Sequence, residues 1–117
     1  MSTPYEPPLE YVNVEEGLGR IRGNQKIYKM LLTTFLDNDS FQQLEADIAA
    51  QKIDEAAKTA HAVKGIAANL SLPKLYEHIL LLEGQLKTGY FMPDSFADAQ
   101  QSYKTTLEHV QKLVESL

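Results

Sequence analysis

The sequence predicts an all-α protein, folded as an antiparallel four-helix bundle with a short extra N-terminal helix. Apolar residues recur at three- and four-residue spacing along the main segments, no segment alternates as a strand does, and the connections between segments are short. The 117 residues are 44% hydrophobic and contain no cysteine, which suits one core without disulfides. We expect an extended tail over residues 1–12 and the helical domain over residues 13–117.

The short extra helix is predicted directly after the tail. Several prolines within the first twelve residues disfavour a helix there. Asn13, followed three residues later by Glu16, forms a pattern similar to a capping box. This helix should therefore begin after Asn13 and end near Gly23, a residue suited to a helix C-terminus.

The next helical segment begins at Asn24, a good N-cap residue. Its apolar positions have helical spacing and comprise Ile27, Tyr28, Leu31, Leu32 and Phe35. A second apolar set, made of Phe41, Leu44 and Ile48, follows in a different helical phase. The phase changes across Asp37 to Ser40, so the pattern is compatible with one kinked helix or with two helices in line.

The central helix is predicted from Ile53, between Lys52 and Asp54, to about Leu70. Its buried seam consists of Ile53, Ala56, Ala60, Val63, Ala67 and Leu70. Ser71 and Pro73 then turn the chain, since proline is tolerated in the first turn of a helix.

Two further helices complete the predicted bundle. The first carries an apolar seam of Leu75, Ile79, Leu82 and Leu86 and should close at Gly89. Within it, Gly84 is expected to allow close helix packing. The last helix should begin at Ser95, with Asp98 three residues later, and its apolar face comprises Phe96, Ala99, Tyr103, Leu107, Val110, Val114 and Leu117.

The outward face of the central helix carries the candidate site. His61, Lys64 and Gly65 share this face, opposite the alanine-rich seam. A glycine in mid-helix costs about 1 kcal/mol relative to alanine, so its presence here calls for a reason. Without a side chain at this position, a group carried on the imidazole or a second protein surface can come close. We expect Gly65 to provide this clearance and docking surface together with Ala57, Lys58 and Ala68.

A neutral imidazole is a good nucleophile near pH 7 and can take a phosphoryl group from an acyl phosphate. Lys64 would then balance the phosphoryl charge, because phosphoryl transfer depends on positioning and on nearby cations. The alternative is that His61 and Lys64 are ordinary surface side chains. His78 and His109 have no such neighbours, and without cysteine or an i, i+4 histidine pair we expect no metal site.

The segment HAVKG, His61 to Gly65, followed by AANL and LEGQLKTG, resembles the histidine-containing phosphotransfer (HPt) domains of bacterial multistep phosphorelays. The segment from Gly17 to Leu36 is similar to the usual entry into that domain. The resemblance implies that His61 carries phosphate between aspartyl groups of response-regulator receiver domains, with a hybrid sensor histidine kinase as a further partner. It implies no cofactor on this chain, and magnesium on the receiver. No glycine-rich nucleotide loop is apparent, so we expect a carrier and not an enzyme.

Glu83 is a candidate for orienting the imidazole. His61 and Glu83 are equally distant from Leu72, at the centre of a predicted helical hairpin, and should therefore lie at the same height. The carboxylate could then bind one imidazole nitrogen and leave the other free to attack. Alternatively, Glu83 is a solvated acid beside Gly84.

Charge and hydropathy limit the choice of partner. Sixteen acids against eleven bases give a net charge of −5, which argues against nucleic acid and anionic membranes. The longest aliphatic run, Ile79 to Leu82, is too short for a bilayer, and no signal peptide is apparent, so we expect a cytoplasmic monomer. A helical adaptor without phosphotransfer, a phosphohistidine phosphatase and a fragment of a sensor kinase remain alternative hypotheses.

Overall fold

Six α-helices make up the fold in the computed structural model, which describes residues 5–117. They are α1 (Val14–Gly19), α2 (Gln25–Asp37), α3 (Ser40–Ala49), α4 (Ile53–Leu70), α5 (Pro73–Leu86) and α6 (Pro93–Ser116). No strand occurs within the described range, which confirms the all-α prediction. Within the same range, no helix is both long enough and apolar enough to cross a bilayer.

The helices pack lengthwise into a body of 51 × 22 × 20 Å. α4 lies against both α3 and α5, and α6 lies against both α5 and α2. The predicted seams of α4 and α5 are buried, with Ile53 only partly so, and they form the centre of the core. Three of the buried α4 residues are alanines, whose small side chains let the neighbouring helices come close.

Both predicted N-caps are confirmed. The Asn13 side chain accepts a hydrogen bond from the Glu16 amide at 3.1 Å, and the Asn24 side chain accepts one from the Ile27 amide at 3.0 Å. The Glu16 carboxylate does not complete a capping box. It accepts a hydrogen bond from the Ser71 hydroxyl at 2.9 Å and so ties α1 to the α4–α5 turn.

The predicted end of the first helix near Gly23 is wrong, because α1 ends at Gly19. Gly23 closes the turn that follows the helix: its φ is +75° and its amide donates to the Leu18 carbonyl at 2.8 Å. Glycine adopts this left-handed conformation readily.

The segment across Asp37 to Ser40 separates two helices, α2 and α3, so the broken arrangement is the one adopted. Asn38 is extended, with ψ of 134°, and its side chain accepts a hydrogen bond from the Ser40 amide at 2.9 Å. This local bond satisfies the Ser40 amide at the start of α3 and favours a turn over a continuous helix.

The apolar set of α2 is buried only in part, since Ile27 and Leu31 are exposed. Tyr28, Leu32 and Phe35 form the buried arc. At 100° per residue, Ile27 and Leu31 lie to one side of this arc, and the helices that contact α2 leave that side exposed.

The predicted boundaries of the last two helices are each off by a few residues. α5 ends at Leu86, and Gly89, with φ of +94°, lies in the following turn. α6 begins at Pro93, a residue that suits a first helical turn because it lacks an amide hydrogen. Ser95 is therefore inside the helix, buried, and accepts a hydrogen bond from the Gln85 side chain at 2.9 Å.

The proposed packing role of Gly84 is also wrong. The residue is exposed, and a Cβ built on it would meet no atom within 4 Å. The glycine of this chain that does permit close packing is Gly17, where a Cβ would lie 2.7 Å from the buried Tyr28 ring.

Residues 5–12, which we call the strap, lie against the helices. The Tyr5 hydroxyl and His109 Nδ1 form a 2.6 Å hydrogen bond, and the Lys74 amide donates to the Glu10 carbonyl at 2.7 Å. Val12 is buried in the core. The first four residues of the predicted tail lie outside the described residues.

Candidate functional site

The middle of α4 presents His61 to solvent. Its side chain is 70% exposed, whereas Ala60 and Val63 on the opposite face are buried. Gly65, one turn further, is exposed, and a Cβ built there would meet no atom within 4 Å. The imidazole therefore stands on an open helix face with no bulky neighbour at the following turn.

Glu83 reaches the imidazole from α5. Its Oε2 atom lies 2.8 Å from His61 Nδ1, as the equal distances from the α4–α5 turn predicted. Glu83 is only 1% exposed, so the alternative of a solvated acid is wrong. An ionised carboxylate can only accept hydrogen bonds, so in the neutral imidazole the proton is on Nδ1 and the lone pair is on Nε2.

Two lysines share the same carboxylate. Lys64 Nζ lies 2.5 Å from Glu83 Oε1, and its side chain is 20% exposed. Lys87 Nζ lies 3.6 Å from Oε2, and its side chain is 61% exposed. One buried carboxylate thus faces one imidazole and two ammonium groups.

The surroundings of Glu83 keep it ionised. Burial raises the pKa of the carboxyl, but hydrogen bonds from Lys64 and His61 and the charges of Lys64 and Lys87 outweigh burial and leave the pKa below its ordinary value. At neutral pH the group is therefore a carboxylate and a hydrogen-bond acceptor for Nδ1.

The exposed imidazole borders an open depression of about 600 Å³. It is lined by Asp54, Ala57, Lys58, His61, Glu83 and Lys87. Lys64 is not part of this lining and reaches Glu83 beside it. Lys58 Nζ pairs with Glu55 at 3.6 Å, and its side chain stays exposed at the rim.

The structure brings together only some of the site residues predicted from the sequence. His61, Lys64 and Glu83 are in direct contact, and Gly65 and Ala68 lie along the same helix face. Sequence reasoning missed Lys87, although its position four residues after Glu83, at the C-cap of α5, is a signal for contact between the two side chains.

The other two histidines are occupied elsewhere. His78 Nδ1 is hydrogen-bonded to the Ser102 hydroxyl between α5 and α6. His109 is hydrogen-bonded to Tyr5 and packs against the Tyr11 ring in a tilted arrangement, with ring centroids 5.1 Å apart. Both help to hold the helices or the strap in place.

Chemically, the site can offer an oriented, unprotonated imidazole nitrogen to an electrophile on a second molecule. No protein-family model matches the chain, and comparisons with curated proteins and with solved structures gave no match either. Support for a function therefore comes from the geometry of these residues.

Proposed function

We propose that the protein is a phosphocarrier of the HPt type. His61 accepts a phosphoryl group from an aspartate of one receiver domain and passes it to another. The observation that carries this proposal is the 70% exposed imidazole whose Nδ1 is held by the buried Glu83 carboxylate at 2.8 Å. In the neutral ring, this contact leaves the Nε2 lone pair available for attack.

In the proposed transfer, the Nε2 lone pair of His61 attacks phosphorus in line with the bond to the aspartyl oxygen. The N–P bond forms while the P–O bond breaks, and the electron pair leaves with the aspartate carboxylate. The proton on Nδ1 remains in its hydrogen bond to Glu83, whose negative charge balances the positive charge gained by the ring. Positive charge from the lysines at the site offsets the charge of the phosphoryl group. Magnesium belongs to the receiver in this scheme.

The finer architecture belongs to the same proposal. We propose an antiparallel four-helix bundle in which α2 and α3 together occupy one position and α4, α5 and α6 occupy the other three. In this arrangement α1 is the short extra helix. The contacts of α4 with α3 and α5, and of α6 with α5 and α2, support this arrangement. The proposed partners are receiver domains and a hybrid sensor kinase in the cytoplasm, and the proposed carrier is a monomer.

The test is incubation with a phosphorylated receiver domain and magnesium. The protein should acquire a phosphoryl group that is labile in acid and stable in alkali, as phosphohistidine is. His61→Gln should abolish labelling and keep the helical circular dichroism spectrum, because the side chain is exposed. His78→Gln and His109→Gln should still be labelled, and labelling of His61→Gln would contradict the proposal.

A helical adaptor is the second candidate, favoured by an apolar patch on α2. Ile27, Met30 and Leu31 are all exposed there and share one side of the helix. An adaptor would bind its partner equally well with His61→Gln and would give no label with any phosphorylated receiver.

A further inference from the structure

The two lysines at Glu83 differ in how firmly they are held. Lys64 Nζ is 2.5 Å from Oε1, and most of the side chain is covered. Lys87 Nζ is 3.6 Å from Oε2, beyond a normal hydrogen bond, and most of the side chain is in solvent. Lys87 can therefore move without breaking a short contact.

The two lysines also differ in whether they line the depression beside His61. The open depression beside His61 is the space that a group carried on the ring can enter, and Lys87 and Lys58 line it. Lys64 is absent from the lining. A phosphoryl group in this space would therefore have Lys87, and not Lys64, at its border.

The charge balance at Glu83 is also easier to maintain if Lys87 moves than if Lys64 moves. The carboxylate is 1% exposed, and removing the partner of a buried charge is strongly unfavourable. If Lys64 turned towards a phosphoryl group, Glu83 would lose its closest cation. Lys87 could turn towards the same group while Lys64 and His61 continued to satisfy the carboxylate.

We propose that Lys87 is the lysine that binds the phosphoryl oxygens on His61, and that Lys64 is a positioning residue that neutralises Glu83. This division of roles rests on the proposed phosphocarrier function. Phosphorylation exchanges the loose 3.6 Å contact of Lys87 with Glu83 for a contact with the phosphoryl oxygens. Throughout, Lys64 keeps Glu83 paired, so that the carboxylate can hold Nδ1 and its proton.

A double-mutant cycle with Glu83→Gln separates the two roles. The glutamine carbonyl can still accept from Nδ1, but the side chain carries no charge for Lys64 to neutralise. Lys87→Ala should slow transfer from a phosphorylated receiver about 10- to 100-fold, typical of losing a hydrogen bond to a charged group, in both the wild-type and the Glu83→Gln backgrounds. Lys64→Ala should slow transfer in the wild-type background and have little further effect in Glu83→Gln.

A measurement on the unphosphorylated protein gives a second test that does not need the Glu83→Gln variant to fold. Lys64→Ala should lower the melting temperature, because it leaves a buried carboxylate short of a cation, whereas Lys87→Ala should not. Lys87→Arg should restore transfer, since a guanidinium also binds phosphoryl oxygens. Lys104 is an exposed lysine on α6, and Lys104→Ala is the matched control for loss of one positive charge.

Wild-type transfer by Lys87→Ala would overturn the assignment, and so would a Lys64→Ala defect that persists undiminished in Glu83→Gln. A melting temperature that falls with Lys87→Ala but not with Lys64→Ala would do the same. If the wild-type protein is never labelled, the phosphocarrier function itself fails, and this outcome is distinct from the other three.

Discussion

At the scale of single residues, Glu83 is the side chain on which the site depends. It is buried, yet its pKa lies below the ordinary value, because hydrogen bonds from Lys64 and His61 and the charges of Lys64 and Lys87 outweigh the effect of burial. Such a group is stable only while its two close partners, Lys64 and His61, remain in place. The same contacts that orient His61 therefore also contribute to the stability of the α4–α5 pair.

This coupling predicts a loss of stability in acid. An unfolded glutamate has a pKa of about 4.3, and the folded value is lower, so the stabilisation from Glu83 is complete above about pH 5 and is lost as the pH falls through the folded pKa. Urea unfolding from pH 7 to pH 3 should show a smaller loss of unfolding free energy for Glu83→Gln than for the wild type. Glu77→Gln, an exposed glutamate on α5, should keep the wild-type dependence. Equal slopes for all three proteins would contradict the prediction.

At the scale of the helix, α4 combines a tightly packed seam with an outward face of small residues. Gly65 is the least favourable residue of α4 for helix propensity, and no contact explains it. Gly84 provides a comparison on α5, because it is likewise helical, exposed and free of neighbours within 4 Å.

Gly65→Ala should raise the unfolding free energy by about 0.5 to 1 kcal/mol and should slow phosphotransfer, because the new methyl group stands one turn from the imidazole. Gly84→Ala should stabilise by a similar amount and leave transfer unchanged. Gly65→Glu should transfer still more slowly, through bulk and like charge. Chemical denaturation and transfer rates measure the two effects. Wild-type transfer by Gly65→Glu would show that clearance at this position is not needed.

At the scale of the whole molecule, the strap joins distant parts of the chain. It contacts α6 through the Tyr5–His109 bond and the α4–α5 hairpin through the bond between the Lys74 amide and Glu10. The residue after the strap, Asn13, donates its amide to the Ser71 carbonyl at 2.9 Å. The strap therefore belongs to the folded body, although none of its residues lines the depression at His61.

Val12→Ala should consequently destabilise the protein without impairing its site. Loss of two buried carbons, with the cavity they leave, should lower the unfolding free energy by about 1.5 to 3 kcal/mol. Leu9→Ala, an exposed position of the same strap, should change it by less than about 0.5 kcal/mol. Both variants should accept phosphate at the wild-type rate. A Val12→Ala protein as stable as the wild type would mean that the strap contributes little to folding.

The sequence by itself determined the features that depend on local physics. Apolar spacing predicted the bounds of α4 and the outward direction of His61, because one helical period fixes both faces at once. Asn13 and Asn24 were predictable as caps, because a cap is a contact within four residues. Even the contact between His61 and Glu83 followed from counting residues on either side of one tight turn.

The tertiary structure decided the features of each helix that depend on which other helix packs against it. It buried Glu83 and Ser95, left Ile27 and Leu31 exposed, and left Gly84 without a packing role. Helical spacing shows which residues share a face but not how wide an arc a neighbouring helix covers. For the same reason, the unequal contacts of Lys64 and Lys87 with Glu83, at 2.5 Å and 3.6 Å, could not be predicted. They depend on differences in reach and burial that arise only when α4 and α5 pack together.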